Sequence, residues 1–236
     1  MSSTIDSNAI DYVTAAAKAV LGMVPFAGSL LSELAGTIIP NQRIDRLSKF
    51  SVLLEDKLSG MDQDFIRTKL RDENFTDLLE STARQAAQAV TEERRLYLAN
   101  LIANGVDGER LSFVESKQIL RLLGEINDIE VIWLRFYLYP YMNGDLEFRE
   151  KHKAVLAPVS AEYGSDQATQ DKRALQQNYL QHLVSLGLLE RPLQVDQKTG
   201  YPIYDKAAKD WKTQGHQLTS LGRLVLRQIG LLDVTA

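Results

Sequence analysis

The sequence predicts a mainly α-helical protein, in which an N-terminal helical bundle precedes a small winged-helix-like α+β domain. Three observations lead to this class. Apolar residues recur at three- and four-residue spacing through much of the first 140 residues. A β-hairpin is predicted late in the chain, on either side of residues 196–200. The 236 residues are 44% hydrophobic and 25% charged, which is typical of domains that bury a core.

The most apolar segment lies near the N-terminus. From Ala19 to Gln42 the only charged residue is Glu33, and Pro25 separates two apolar pieces, Ala9–Val24 and Phe26–Ile39. As helices with ~1.5 Å rise per residue, the pieces reach roughly 20–24 Å, less than the ~30 Å hydrocarbon core of a bilayer. We therefore expect a helical hairpin over residues 9–39 that is either bundle core or, once released, an element that contacts a membrane or a partner. Its predicted contact residues are Leu21, Val24, Phe26, Leu30, Leu31, Leu34 and Ile38.

Amphipathic helices are predicted from residue 44 to Pro140. The first has an apolar stripe that stops at Ser59-Gly60 and consists of Ile44, Leu47, Phe50, Leu54 and Leu58. A short helix is expected over residues 62–70. A longer one begins near Asn74 and can extend to Gly105, with an inner face that consists of Leu78, Leu79, Thr82, Ala86 and Val90.

Local signals mark the remaining helices of the bundle. Residues 112–115 and 127–130 fit capping boxes, in which two side chains satisfy the first free amides of a helix. The charged run at residues 92–95 is expected to form a solvated face of mutually paired side chains. Trp133, Phe136 and Tyr137 have helical spacing, which favours packing in a core.

The C-terminal part has the order of elements in which a winged helix ends. A helix is predicted over Lys172–Leu186, with Leu175, Tyr179, Leu183 and Leu186 inward. A polar hairpin tip at residues 196–200 and a last helix over Ser220–Ile229 follow it. We therefore place the bundle at residues 1–140, a linker region at 141–170 and the winged-helix-like domain at 171–236. The outer face of its first helix is the candidate contact for DNA or a partner and consists of Lys172, Arg173, Gln176, Gln177 and Gln181.

The sequence contains no recognisable catalytic or cofactor site. There is no cysteine, and the three histidines, His152, His182 and His216, stand apart without a metal-binding spacing. Residues 22–29 contain two glycines but lack the lysine of a phosphate-binding loop. We therefore predict a protein that is not an enzyme and uses no cofactor.

The charge distribution sets limits on the partner. The net charge is −4, and residues 171–236 hold nine Lys/Arg against six Asp/Glu. Such a small excess does not predict the clustered basic face on which strong phosphate binding depends. A protein partner or self-association is expected first, with DNA and a membrane as alternatives.

Several short segments resemble a known group of proteins. Residues 25–28, Leu34, 39–47, 93–95 and 98–105 are similar to a group of uncharacterised bacterial proteins. Leu-Gly-Leu-Leu at 186–189 and Leu-Thr-x-x-Gly at 218–222 resemble, more distantly, the abortive-infection alpha family. The resemblance implies a bacterial role in defence against phage and transfers no catalytic residue.

Two functional hypotheses follow. The first is a non-enzymatic bacterial binding protein, an effector of the abortive-infection type that acts through a membrane or a protein partner. It is expected to be cytoplasmic, because no basic segment precedes the apolar hairpin as in a secretory signal. Association with a membrane on activation is the alternative that the apolar hairpin leaves open. The alternative is a winged-helix regulator that binds DNA.

Overall fold

The structure is a computed structural model that describes residues 43–107, 111–140, 144–160, 164–206 and 209–232. Within these ranges the protein is mainly helical, with short antiparallel strands in its C-terminal region, which confirms the predicted class at this level. The contacts divide the chain into two compact units. The first unit runs to Gly124 and includes the residues from Gln228 onward, and the second covers Glu125–Arg227. The predicted linker region, 141–170, therefore lies within the second unit.

The described residues of the first unit contain five helices: α1 (Ile44–Leu58), α2 (Gln63–Lys69), α3 (Glu73–Gln88), α4 (Glu92–Asp107) and α5 (Phe113–Glu125), of which the last residue belongs to the second unit. Helix α1 packs against α3 and α4, which also pack against each other. The five apolar residues predicted for the stripe of α1 are all buried. This confirms the helical periodicity, because one face of α1 supplies a continuous part of the core.

The break between α3 and α4 corrects two expectations. The chain turns extended at Ala89, so α3 and α4 are separate helices, and the side chain of Val90 is exposed instead of facing inward. Arg95 is buried and donates from Nη1 to the carbonyl oxygen of Ala89 at 2.9 Å. Arg94 donates to the carbonyl oxygen of Leu123 at 2.7 Å. The prediction of a fully solvated, mutually paired face was wrong here, because two arginines bind backbone oxygens.

Two asparagines on α4 hold the C-terminal residues of the first unit. Asn100 and Asn104 lie one turn apart, and their Nδ2 atoms donate to the carbonyl oxygens of Ile229 and Gln228, each at 2.9 Å. The last carbonyl oxygens of a helix lack hydrogen-bond donors within that helix, so the two asparagine side chains supply donors to the carbonyl oxygens of Gln228 and Ile229. Gly230 follows with a φ of 76°, and an added Cβ would lie 2.3 Å from Nδ2 of Asn100.

The second unit contains five helices and four short strands among its described residues. The helices are α6 (Asp128–Phe136), α7 (Leu146–Lys151), α8 (Lys153–Leu156), α9 (Gln167–Ser185) and α10 (Ser220–Gln228), of which the last residue belongs to the first unit. The strands are β1 (Leu189–Glu190), β2 (Tyr204–Asp205), β3 (Asp210–Trp211) and β4 (Gln217–Leu218). Helix α9 packs on α6 and on β1.

The segments at residues 186–189 and 218–222 meet in the second unit. Strands β1 and β4 pair antiparallel, with Leu189 opposite Leu218. The hydroxyl of Thr219 donates to the carbonyl oxygen of Gly187 at 2.7 Å and accepts from the amide of Gly222 at 3.0 Å, so it caps α10. A Cβ on Gly222 would lie 2.3 Å from the carbonyl oxygen of Leu188, so glycine lets α10 approach β1. The contact of β1 with the start of α10 therefore accounts for the positions of the glycines and of Thr219 in both segments.

The chain between β1 and β4 forms a β-ribbon, which we define as residues 191–217. Val195 pairs with Pro202 and Tyr204 pairs with Trp211, which confirms the hairpin predicted around residues 196–200. Three backbone bonds close a ring at the middle of the ribbon. Gln194 donates to Lys212, Lys212 donates to Ile203, and Ile203 donates to Gln194, at 2.7, 2.8 and 2.9 Å. Each of the three segments therefore pairs with the other two.

Candidate binding surfaces

A buried carboxylate fixes α9 on α6. Glu130 is 2% exposed, and its Oε1 lies 2.6 Å from Nδ1 of His182 on α9. Its Oε2 accepts from the amide of Asn127 at 2.7 Å, and Asn127 Oδ1 accepts from the amide of Glu130, so the predicted capping box is present. The sequence analysis identified the cap but missed His182 as its partner, because 52 residues separate the two side chains in sequence.

The rest of α9 is exposed to an unusual extent. From Gln167 to His182 no residue is buried, and Leu183 is the buried residue of the helix. Leu175, predicted to face inward, is 54% exposed, so that expectation was wrong. At this position the helical spacing therefore did not correspond to burial.

The predicted contact face of α9 is only partly available. Lys172, Arg173, Gln177 and Gln181 are exposed. Gln176 instead binds the backbone nearby, since its Nε2 donates to Ala157 at 3.1 Å and its Oε1 accepts from Val159 at 3.3 Å. Its side chain thus bonds the segment after α8 to α9, and its role as a contact residue stays a prediction.

The ribbon carries exposed apolar side chains. None of its residues in the ranges 191–206 and 209–217 is buried. Five large hydrophobic side chains are among the exposed residues of the ribbon: Leu193, Val195, Tyr201, Tyr204 and Trp211. Such side chains ordinarily supply a core, so a segment that leaves them in solvent has the composition of an interaction site.

Four of these side chains share one face. Tyr204 lies opposite Trp211, and their rings meet edge to face with centroids 5.2 Å apart. Leu193 pairs with Thr213, two residues from Trp211, and Val195 pairs with Pro202, two residues from Tyr204. Residues two apart on a strand point the same way, and paired residues share a face. Leu193, Val195, Tyr204 and Trp211 therefore form an apolar face, while Tyr201, 74% exposed, extends near the hairpin tip.

His216 lies at the base of the ribbon beside Tyr137, with ring centroids 5.8 Å apart. Burial lowers the pKa of His216, and the charge of Arg191 lowers it further. Burial also raises the pKa of the Tyr137 phenol. Both groups are therefore held in their neutral forms, and the base of the ribbon favours uncharged contacts near neutral pH.

The described residues show no preassembled metal site. They contain no group of three or more metal-ligating side chains. No helix in the same ranges combines the length and apolar content needed to cross a membrane. Leu21, Val24, Phe26, Leu30, Leu31, Leu34 and Ile38 lie outside the described residues, so the hairpin over residues 9–39 stays a prediction.

A signal for the ribbon surface was present in the sequence. Apolar residues alternate at Leu193 and Val195 and again at Tyr201 and Ile203, next to Pro192 and Pro202. Proline is confined to edges or irregular positions of sheets, which argues against a ribbon buried on both faces.

Comparisons of the chain with protein families, with curated proteins and with solved structures give no match.

Proposed function

We propose that this chain is a non-enzymatic bacterial binding protein whose second unit is a winged-helix-like module. In this proposal α9, β1, the ribbon, β4 and α10 correspond to the helix, strand, wing, strand and final helix of that module. The apolar face of the ribbon binds a protein partner. The observation that carries the proposal is the exposure of Leu193, Val195, Tyr204 and Trp211 on a ribbon whose described residues are all at least partly exposed.

The chemistry of the ribbon favours protein over DNA. Tyrosine and tryptophan dominate the binding energy of many protein interfaces, because they bury a large area with few rotatable bonds. The second unit holds 13 Lys/Arg and 13 Asp/Glu, so its formal net charge is zero with neutral histidines. A neutral unit gains little from the counterion release that drives DNA binding.

Site-specific photo-cross-linking tests this proposal in bacteria that express the full chain. A benzophenone amino acid replaces Tyr201, which is exposed on the ribbon, or Tyr139, an exposed tyrosine outside it, as the matched control. We expect a discrete protease-sensitive adduct from position 201 and none from position 139. The adduct should be lost when Tyr204→Ser and Trp211→Ser are added, since loss of a hot spot costs about 30-fold or more in affinity.

The same experiment separates the alternatives. A nuclease-sensitive adduct at position 201, together with salt-dependent DNA binding that Lys172→Ala and Arg173→Ala abolish, would favour the DNA-binding regulator. If light produces no adduct at position 201 in growing or phage-infected cells, the protein-binding role of the ribbon is wrong.

The defence role is the part of the proposal that rests on the resemblance of residues 186–189 and 218–222 to the abortive-infection alpha family. Phage plating on bacteria that express the wild-type chain is expected to fall, and the Tyr204→Ser/Trp211→Ser variant should restore it. Tyr139→Ser should leave protection intact. Equal plating on expressing and non-expressing bacteria, over a panel of phages, would contradict the defence role and leave the binding role standing.

A further inference from the structure

A second candidate site lies in the first unit, where α1 faces the first turn of α4. A groove of about 320 Å³ opens there. Its lining residues are Ser48, Lys49, Val52, Leu53, Glu92 and Arg95. Small-molecule sites usually measure about 300–1,000 Å³ and combine apolar walls with a few placed polar groups. This groove is at the small end of that range, which suits a ligand of few atoms.

The distinguishing feature of the groove is a buried cation without a carboxylate partner. Arg95 is 6% exposed, and among the described residues its guanidinium bonds to the carbonyl oxygens of Ala89 and, at 3.5 Å, Val90. Its Nε is buried and donates to no atom in the part of the chain that the structure describes. Neither Arg95 nor Lys49 has an ion pair within the described residues, although Glu92 lines the same groove.

A buried charge is costly unless an opposite charge or several hydrogen bonds compensate it. The carbonyl oxygens of residues 89 and 90 compensate the Arg95 guanidinium in part, and an anion in the groove would complete the compensation. Lys49 and Arg95 carry two positive charges against one negative charge on Glu92, so the lining has a net charge of +1. That balance favours a ligand with a single negative charge.

We propose that the groove binds a carboxylate attached to a short apolar chain, as in a medium-chain fatty acid. The guanidinium of Arg95 and the ammonium of Lys49 bind the carboxylate. The side chains of Val52 and Leu53 contact the chain, and the exposed position of Val52 leaves apolar surface for it to cover. This ligand site lies in the first unit and does not depend on the partner proposed for the ribbon.

Titration calorimetry on the full chain at low salt, with octanoate and with octanol as the neutral match, tests the site. We expect saturable binding of octanoate at least about tenfold tighter than that of octanol, because a charge-assisted hydrogen bond contributes that much or more. Val52→Asp places a carboxylate at the groove and should weaken octanoate binding about tenfold or more. Val114→Asp makes the same change at an exposed valine outside the lining and should leave binding unchanged.

A second variant keeps the test decisive if Val52→Asp perturbs folding. Lys49 is exposed, so Lys49→Glu should preserve the fold, weaken octanoate by about tenfold and leave octanol unaffected. Circular dichroism identical to that of the wild type confirms that each variant is folded. Three results would overturn the proposal. Octanol could bind as tightly as octanoate, octanoate binding could survive both variants, or octanoate could show no saturable binding.

Discussion

The contact between Glu130 and His182 is expected to stabilise the second unit by an amount that can be measured. Each oxygen of the Glu130 carboxylate has one partner, His182 at 2.6 Å and the amide of Asn127 at 2.7 Å. Loss of a hydrogen bond to a charged group costs about 1.5–3 kcal/mol, and loss of a helix cap about 1 kcal/mol. We therefore expect Glu130→Ala to lower the free energy of unfolding by about 2.5–4 kcal/mol.

A double-mutant cycle isolates the contribution of the pair. His182→Ala leaves Glu130 Oε1 buried without its partner, which should cost about 1–3 kcal/mol. Once Glu130 is gone, the same change at residue 182 should cost close to nothing, so the coupling energy is expected to be about 1–3 kcal/mol.

Tryptophan fluorescence during urea unfolding reports the second unit alone. The chain has two tryptophans, Trp133 and Trp211, and both belong to that unit. A Trp211→Phe background leaves the buried Trp133 as the reporter. The reasoning is refuted if the cost of the double variant equals the sum of the two single-variant costs to within about 0.5 kcal/mol.

Three further predictions concern other contacts. Gly222→Ala should destabilise the second unit by about 1–3 kcal/mol, because its Cβ would meet the carbonyl oxygen of Leu188; urea unfolding followed by tryptophan fluorescence measures this. Asn104→Ala should lower the free energy of unfolding of the first unit by about 0.5–1.5 kcal/mol, because it removes the bond to Gln228, and a urea titration followed by circular dichroism checks it. The lowered pKa of His216 predicts stability that is full above the ordinary histidine pKa near 6.5 and falls as the pH drops below it, since the unfolded chain then binds the proton more readily. The urea midpoint of the second unit should therefore be lower at about pH 5.5 than at pH 7.5, and less so in His216→Phe. A midpoint that does not change with pH would contradict this cause.

Local signals in the sequence predicted much of the fold. The stripe of α1 and the capping boxes at residues 112–115 and 127–130 were correct, because each depends on side chains within one or two helical turns. The break at Ala89 was missed, although Thr91, followed by two glutamates, is the kind of residue that starts a helix. In the structure the Thr91 hydroxyl accepts from the amide of Arg94 at 3.2 Å, after the extended backbone of Ala89.

The candidate sites were less predictable, because they depend on contacts between distant residues. Leu175 has the spacing of a core residue, yet it is 54% exposed, because burial also requires another element to cover that side of the helix. Arg95 lies in a run of four charged residues, and its burial depends on packing against α1 that the run does not encode. Periodicity identifies which residues can face a core, but only the tertiary contacts decide which of them do.

The ribbon shows how exposed apolar residues can be held in place without a core of their own. Isolated hairpins are marginally stable in water, so a ribbon without buried side chains needs another source of order. The ring of bonds among Gln194, Ile203 and Lys212 supplies one, because each segment is paired twice. The pairing of β1 with β4 supplies a second at the base, where Leu189 and Leu218 are buried. Backbone bonds thus fix the ribbon while its aromatic side chains stay exposed, which would reduce the entropic cost of binding the proposed partner.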